Sequence, residues 1–215
     1  HESYIRDLRR RGVSLPILVR DLGQAYSARL NACASTLSPL SVTYADHASW
    51  QKRLLDESGE IERQLVYYRH SLAQAPEVLT LPTDFVRHAD RNKIASYVPI
   101  AISEKISKSI DKLALRYGTT SFSVLMGTFA LLLGRLARQN SVVLGVPVAG
   151  RNTSDAEDLV GFFANTLPLH LELENLLTGE DLIKKSKKVS LDALSHQEVP
   201  FERLVEELTD RRSLS

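Results

Sequence analysis

Apolar residues return at three- and four-residue intervals along most of this chain, which is the rhythm of helices with one buried face. Leu15, Leu18, Val19, Leu22 and Tyr26 share such a face, and the spacing predicts a helix over Ser14 to Leu30. The segment after it, NACASTLSPLSV, has the small and polar composition of a loop. A second helical pattern starts near Ser49, is interrupted around DESGE where Gly59 weakens it, and resumes through Ile61, Leu65, Tyr68 and Leu72. QAPEVLTLPTDFVRHADRNK holds two prolines and no sustained period, predicting a long ordered connection. IASYVPI reads as a strand, placed near an edge or an end by Pro99.

The second half alternates the two rhythms. Ile102, Ile106, Ile110 and Leu113 form one helical stripe that stops at Gly118, and Thr120 or Ser121 is suited to cap a following helix. That helix, SFSVLMGTFALLLGRLA, is apolar nearly all round and reads as buried on most sides. SVVLGV is a β-branched run of the kind buried in a sheet, and TLPLHLEL alternates with Leu167, Leu169 and Leu171 on one side and His170 opposite. Pro168 cannot donate to a ladder and predicts a free or irregular edge. Thr178 with Asp181 predicts a capped helix with Leu182, Val189 and Ala193 inward. Pro200 suits the first turn of a last helix with a stripe of Phe201, Leu204, Val205 and Leu208. No tandem repeat or independent-domain linker interrupts the pattern, so one α/β unit is expected.

Composition narrows the function. The 215 residues are 43% hydrophobic and 25% charged, the balance of a soluble globular protein with one substantial core. Lys plus Arg number 27 against 26 Asp plus Glu, so the formal net charge of +1 creates no global attraction to nucleic acid or an anionic membrane. Cys33 stands alone, with no disulfide partner and no metal-site spacing. Ser121 to Ala137 is short for a membrane span and contains an arginine, and nothing reads as a secretory leader. The cytoplasm is the expected location.

Motif chemistry is sparse. No Walker loop, dinucleotide fingerprint, zinc cluster or hydrolase elbow is present. GVPVAGRNTSDAEDLVGFF lacks the spacing of a phosphate cradle, and its glycines read as points of close backbone approach. His1, His47, His70, His88, His170 and His196 are dispersed without carboxylate or cysteine partners. Arg9, Arg10 and Arg11 could meet phosphate, but no aromatic or glycine interleaving continues a nucleic-acid surface, so a solvated helix end is preferred.

Five larger blocks converge. YADHASWQ (Tyr44 to Gln51), LPTD (Leu81 to Asp84), VVLGVPVAGR (Val142 to Arg151), LVGFFANTLPL (Leu159 to Leu169) and SHQEVPFERLVEEL (Ser195 to Leu208) resemble, in order, consecutive motifs of nonribosomal peptide synthetase condensation domains. The resemblance implies an α/β, chloramphenicol-acetyltransferase-like lobe with a mixed sheet flanked by helices. In that family two related lobes enclose a tunnel, and carrier proteins present donor acyl or peptidyl and acceptor aminoacyl thioesters from its two ends. The acceptor amine attacks the donor thioester to form an amide. Residues 1–30 are then a remnant of the central-motif region with the helix that follows, residues 31–215 are the C-terminal lobe, and the N-terminal lobe is expected to be absent. No cofactor is expected on the chain itself; phosphopantetheine on partner carrier proteins is implied. The implied partners are peptidyl or aminoacyl carrier proteins and the missing lobe or adjacent synthetase domains, without nucleic acid or membrane, and apolar surface left by the missing lobe would favour self-association.

The family's chemistry rests on His-His-x-x-x-Asp-Gly. Anchoring on GVSL places Arg6 and Asp7 at the histidine pair and Arg11 at the aspartate, with Gly12 the clear match. Arginine has no free lone pair for general-base work at neutral pH. His1 is either a surviving motif histidine or a leftover of cloning, and in neither case completes the motif. The isolated chain is therefore expected to be inactive. By resemblance, Tyr44, Asp46 and Trp50 belong to the early signature of the lobe; Gly150, Arg151, Gly161 and Asn165 to the tunnel-floor region; and His196, Gln197, Pro200 and Phe201 to the late signature. Each has a structural as well as a substrate-facing reading. For Asn165, which both donates and accepts, holding an irregular backbone is preferred to orienting substrate. Two alternatives to a condensation-domain fragment stay open: a noncatalytic module binding a carrier protein or synthetase domain, and a fragment of a related acyltransferase.

Overall fold

A computed structural model describes residues 14–34, 37, 39–85, 98–151, 153–175 and 178–213. In chain order these form α1 (Ser14–Leu30), α2 (Tyr44–Glu57), α3 (Glu60–Ser71), α4 (Glu104–Arg116), α5 (Ser121–Ala137), β1 (Ser141–Val148), a 3-10 turn (Ser154–Ala156), β2 (Asn165–Glu172), α6 (Gly179–Leu194) and α7 (Phe201–Ser213). The expected α/β class holds. Among the described residues the sheet consists of β1 and β2 alone. No single helix among them is long and apolar enough to cross a membrane.

The chain divides into two compact units. The first comprises residues 1–69, 146–167 and 196–215, and the second 70–145 and 168–195. In the first, Ile17, Leu65, Tyr68, Leu159, Leu167, Val199 and Leu204 are buried. α2 begins at Tyr44 rather than near Ser49, because Thr43 and Asp46 form a capping box that the sequence reading overlooked. The break before α3 falls at Gly59 as expected, with a left-handed φ of +71°. The predicted stripe of α1 is not buried: Leu15, Leu18, Val19, Leu22 and Tyr26 are 40–66% exposed, while Ser14 and Ile17 turn inward. Of the α7 stripe only Leu204 is fully buried, and Pro200 sits just ahead of the helix, its carbonyl accepting from the Leu204 N–H.

In the second unit α5 packs against α4 and α6. Gly127 allows the close approach to α6, since a Cβ there would meet the Ser186 hydroxyl. Ala114, Val124 and Ile183 form a small core joined by Ile110 and Tyr117. The helix caps fall as predicted, with Thr120 accepting from Ser123 and Thr178 paired with Asp181, and Gly118 closes α4 with φ +57°. Burial departs from the pattern. Ser123, Val124, Met126, Gly127, Ala130 and Gly134 of α5 are buried, but Phe122, Leu125, Phe129, Leu132 and Leu136 are 42–53% exposed. Ile102 and Ile106 of the α4 stripe are likewise exposed. SVVLGV does form a strand, with only Val142 fully buried, and β2 buries His170 as well as its leucines. Of the predicted strand IASYVPI, residues 94–97 lie outside the described residues and Val98 to Ile100 are exposed and irregular. Gln139 holds the described connection by accepting from the Thr80 N–H at 3.0 Å and donating to Val78 O at 3.0 Å.

Candidate functional site

The greater part of four of the five sequence blocks (Tyr44 to Gln51, Val146 to Arg151, Leu159 to Leu167 and His196 to Leu208) meets in the first unit, and their contacts explain why these residue types stand where they do. The capping box starts α2 so that Tyr44 and His47, three residues apart, lie on one helical face. Both address Phe163: the Tyr44 ring meets it edge-on at 5.3 Å between centroids, and His47 does so at 4.9 Å. The Tyr44 hydroxyl donates to Phe162 O at 3.0 Å, and its ring lies where a Cβ on Gly161 would otherwise be. Trp50 leans on His47 at 5.6 Å and is 40% exposed. Asp46 is occupied by the cap. Its carboxylate accepts from the Thr43 hydroxyl at 2.7 Å and the Thr43 N–H at 2.9 Å, and these bonds hold its pKa below the ordinary carboxylate value.

Gly150 and Arg151 approach the same loop. Gly150 adopts φ +62°, and any Cβ there would collide with the Phe163 carbonyl. Arg151 places its guanidinium carbon 4.1 Å from the centroid of the Phe163 ring, donates to Ala156 O, and donates to the Ser14 hydroxyl at 2.9 Å. Burial pulls its pKa below the ordinary arginine value. Ser14, 2% exposed, also donates to Gly161 O at 3.0 Å and accepts from Gly161 N at 3.4 Å. One hydroxyl thus ties the start of α1 to the GR and GF segments. Sequence reasoning did not single out Ser14; its only signal was the match of GVSL to the residues after the family's catalytic glycine.

The late signature is held by two side-chain amides. Asn165 donates to Gln197 O at 2.9 Å and Val199 O at 2.7 Å, and its carbonyl oxygen accepts from Thr166 N at 2.9 Å and Phe201 N at 3.0 Å. Both donor hydrogens and both acceptor positions are engaged, so the amide has nothing left to offer a substrate. From the other direction Gln64, 1% exposed, accepts from Glu198 N at 2.9 Å and Val199 N at 3.1 Å, and donates to Glu60 at 2.6 Å. Five main-chain groups of an irregular loop are satisfied by side chains far away in sequence. Gln64 was missed because a glutamine in an amphipathic helix gives no sequence signal of inward orientation. His196 stacks on Tyr67 with centroids 4.0 Å apart and planes 10° from parallel.

The remaining candidates lie elsewhere. LPTD belongs to the second unit. Arg6, Asp7, Arg11, Gly12 and His1 lie outside the described residues. Among the described residues no group of three or more His, Cys, Asp or Glu is placed to hold a metal ion. The assembled motifs form a scaffold of anchored backbone in which the polar groups of Ser14, Tyr44, Asp46, Gln64, Arg151 and Asn165 make internal bonds.

Comparison with known proteins places this scaffold. A family model described as condensation domain matches residues 11–215. Malpinin synthetase of Mortierella alpina is 36% identical over 203 residues, which is 94% of this chain and 3% of that protein. A dimodular nonribosomal peptide synthase of Bacillus subtilis (strain 168) is 38% identical over 206 residues, 94% of this chain and 9% of that protein. Among solved structures, the X-domain from teicoplanin biosynthesis, in its complex with OxyB, matches with a TM-score of 0.83 at 27% identity, covering 92% of this chain and 44% of that one. The chain therefore spans a small part of its curated relatives and less than half of the structural one.

Proposed function

Since this chain belongs to the condensation-domain family of nonribosomal peptide synthetases and shares its chloramphenicol-acetyltransferase-like fold, we propose that it serves as the C-terminal portion of such a domain in peptide-bond formation. In this reading it contributes wall and floor to a tunnel through which carrier proteins deliver phosphopantetheine-bound donor and acceptor thioesters, in a cytoplasmic assembly line for a secondary metabolite. The chain by itself does not catalyse the reaction. Arg6 and Asp7 stand where the family has its histidine pair, and neither replaces an imidazole poised near neutral pH. The observation that carries the proposal is the family match over 11–215, supported by the convergence of the greater part of four motif blocks in one unit through Ser14, Arg151, Asn165 and Gln64. The roles of Tyr44, Asp46, Trp50, Gly150, Arg151, Gly161, Asn165, His196, Gln197, Pro200 and Phe201 are then positional, setting the backbone of the floor.

The chain is incubated with donor-loaded and acceptor-loaded carrier proteins, and dipeptidyl thioester is followed by intact-protein mass spectrometry. No product above the uncatalysed background is expected, and product would overturn the proposed inactivity. A second reading, a noncatalytic docking module, is favoured by the likeness to an X-domain solved in complex with OxyB. Carrier binding without product would support it.

A further inference from the structure

The second unit contains a hydroxyl, an imidazole and a carbonyl in line, at positions that lie outside the motif blocks, with Ser141 and His170 adjoining them, and that make none of the contacts that carried the functional reading. His170 of β2 has its Nδ1 at 2.5 Å from the carbonyl oxygen of Ser71 and its Nε2 at 2.5 Å from the Ser141 hydroxyl at the start of β1. A carbonyl only accepts, so Nδ1 carries the proton in the neutral ring, and Nε2 presents a lone pair to the hydroxyl. The ring is nearly buried, whereas Ser141 is only half-buried at a strand end. Two residues along β2, the Glu172 carboxylate lies within electrostatic reach of the imidazole and is itself held by Lys185 at 3.0 Å. A nucleophile bonded to a base, with the base oriented by a third group, is the arrangement that activates serine in covalent catalysis.

We propose that Ser141 and His170 form a serine–histidine dyad that takes up acyl groups from activated esters. Ser141 Oγ forms a bond to the ester carbonyl carbon while its proton passes to His170 Nε2. Collapse of the adduct breaks the bond to the leaving oxygen, which takes that proton, leaving an acyl-Ser141 ester and a free alcohol. Water repeats the sequence, transferring a proton through Nε2, releasing the acid and restoring the hydroxyl. The Ser71 carbonyl keeps the ring in the required tautomer throughout, by holding the Nδ1–H. The inference is independent of the condensation reading, since none of these residues belongs to the assembled motif network.

The full chain is treated with a fluorophosphonate probe and, separately, with p-nitrophenyl acetate, and modified peptides are quantified by mass spectrometry. Ser141 is expected to react about 100-fold faster than the exposed Ser107, the lower range of a positioned general base. Ser141→Ala abolishes that modification, and His170→Gln, which still donates to the Ser71 carbonyl but cannot take the proton, lowers it to the Ser107 level. Modification of Ser141 within about tenfold of Ser107 in the unsubstituted chain overturns the proposal, whether or not the variants fold. Undiminished modification in folded His170→Gln overturns it as well.

Discussion

Replacing Asn165 by alanine removes four hydrogen bonds at once and tests whether the amide is a scaffold element. Two are donated to Gln197 O and Val199 O and two are accepted from Thr166 N and Phe201 N. A typical intramolecular bond contributes about 1 kcal/mol net, and buried groups left without partners cost about 1–3 kcal/mol each. Water can reach Gln197 and Phe201 at the surface, while Val199 is buried and its carbonyl loses the amide donor. The loss works out at about 3 kcal/mol, or roughly 6–12 °C in Tm at about 2–4 °C per kcal/mol for a chain of this size. Asn165→Asp sharpens the test, because it keeps the acceptor and turns the two donors into a carboxylate oxygen facing two carbonyls. That raises the pKa of the introduced carboxyl in the folded state, so this group's own contribution to stability is fully present below the unfolded value of about 3.9 and is lost as pH rises through the folded one. Amide hydrogen exchange at Val199 and Phe201, with thermal unfolding by circular dichroism, reads both effects. If Asn165→Ala costs less than about 1 kcal/mol and the Phe201 amide keeps its protection, the clamp is not what holds the loop.

Two further outcomes follow from single contacts. Ser186 buries a hydroxyl with no hydrogen-bond partner among the described residues, so Ser186→Ala should leave stability unchanged or raise it by up to about 1 kcal/mol; a clear drop in the urea midpoint would contradict this. The Arg63 guanidinium and then the Gln64 amide hold the Glu60 carboxyl well below its ordinary value, at about 2. Its contribution is present above the unfolded value and disappears as pH falls from 4.5 towards about 2, a decline that Glu60→Gln should flatten in urea titrations; equal slopes for the two proteins would refute it.

The exposed stripe on α5 bears on the expectation of self-association. Phe122, Leu125, Phe129, Leu132 and Leu136 follow a three-four spacing along one side of the helix, with the opposite positions buried. Light scattering across a concentration series would show association; a monomer at every concentration would count against it.

Local chemistry was legible in the order of residues. Helix boundaries followed caps and glycines at Gly59, Gly118, Thr120 and Thr178, because a cap needs only a side chain and an amide two or three residues away. Two of the three predicted strands, SVVLGV and TLPLHLEL, followed their β-branched and alternating runs, whereas Val98 to Ile100 of IASYVPI form none, since a strand needs a partner that the local sequence does not name. Burial did not follow, since an apolar stripe states that a face can be covered and not what covers it. That is why α1 turns Ser14 and Ile17 inward while Leu22 and Tyr26 face outward. The motif blocks were likewise readable one by one, and the family with them. Which groups these residues meet was decided by partners more than a hundred positions away: Ser14 against Gly161, Gln64 against Val199, Tyr44 against Phe162. A polar side chain carries the same donors and acceptors wherever it stands, and only the folded chain decides whether backbone or solvent meets them.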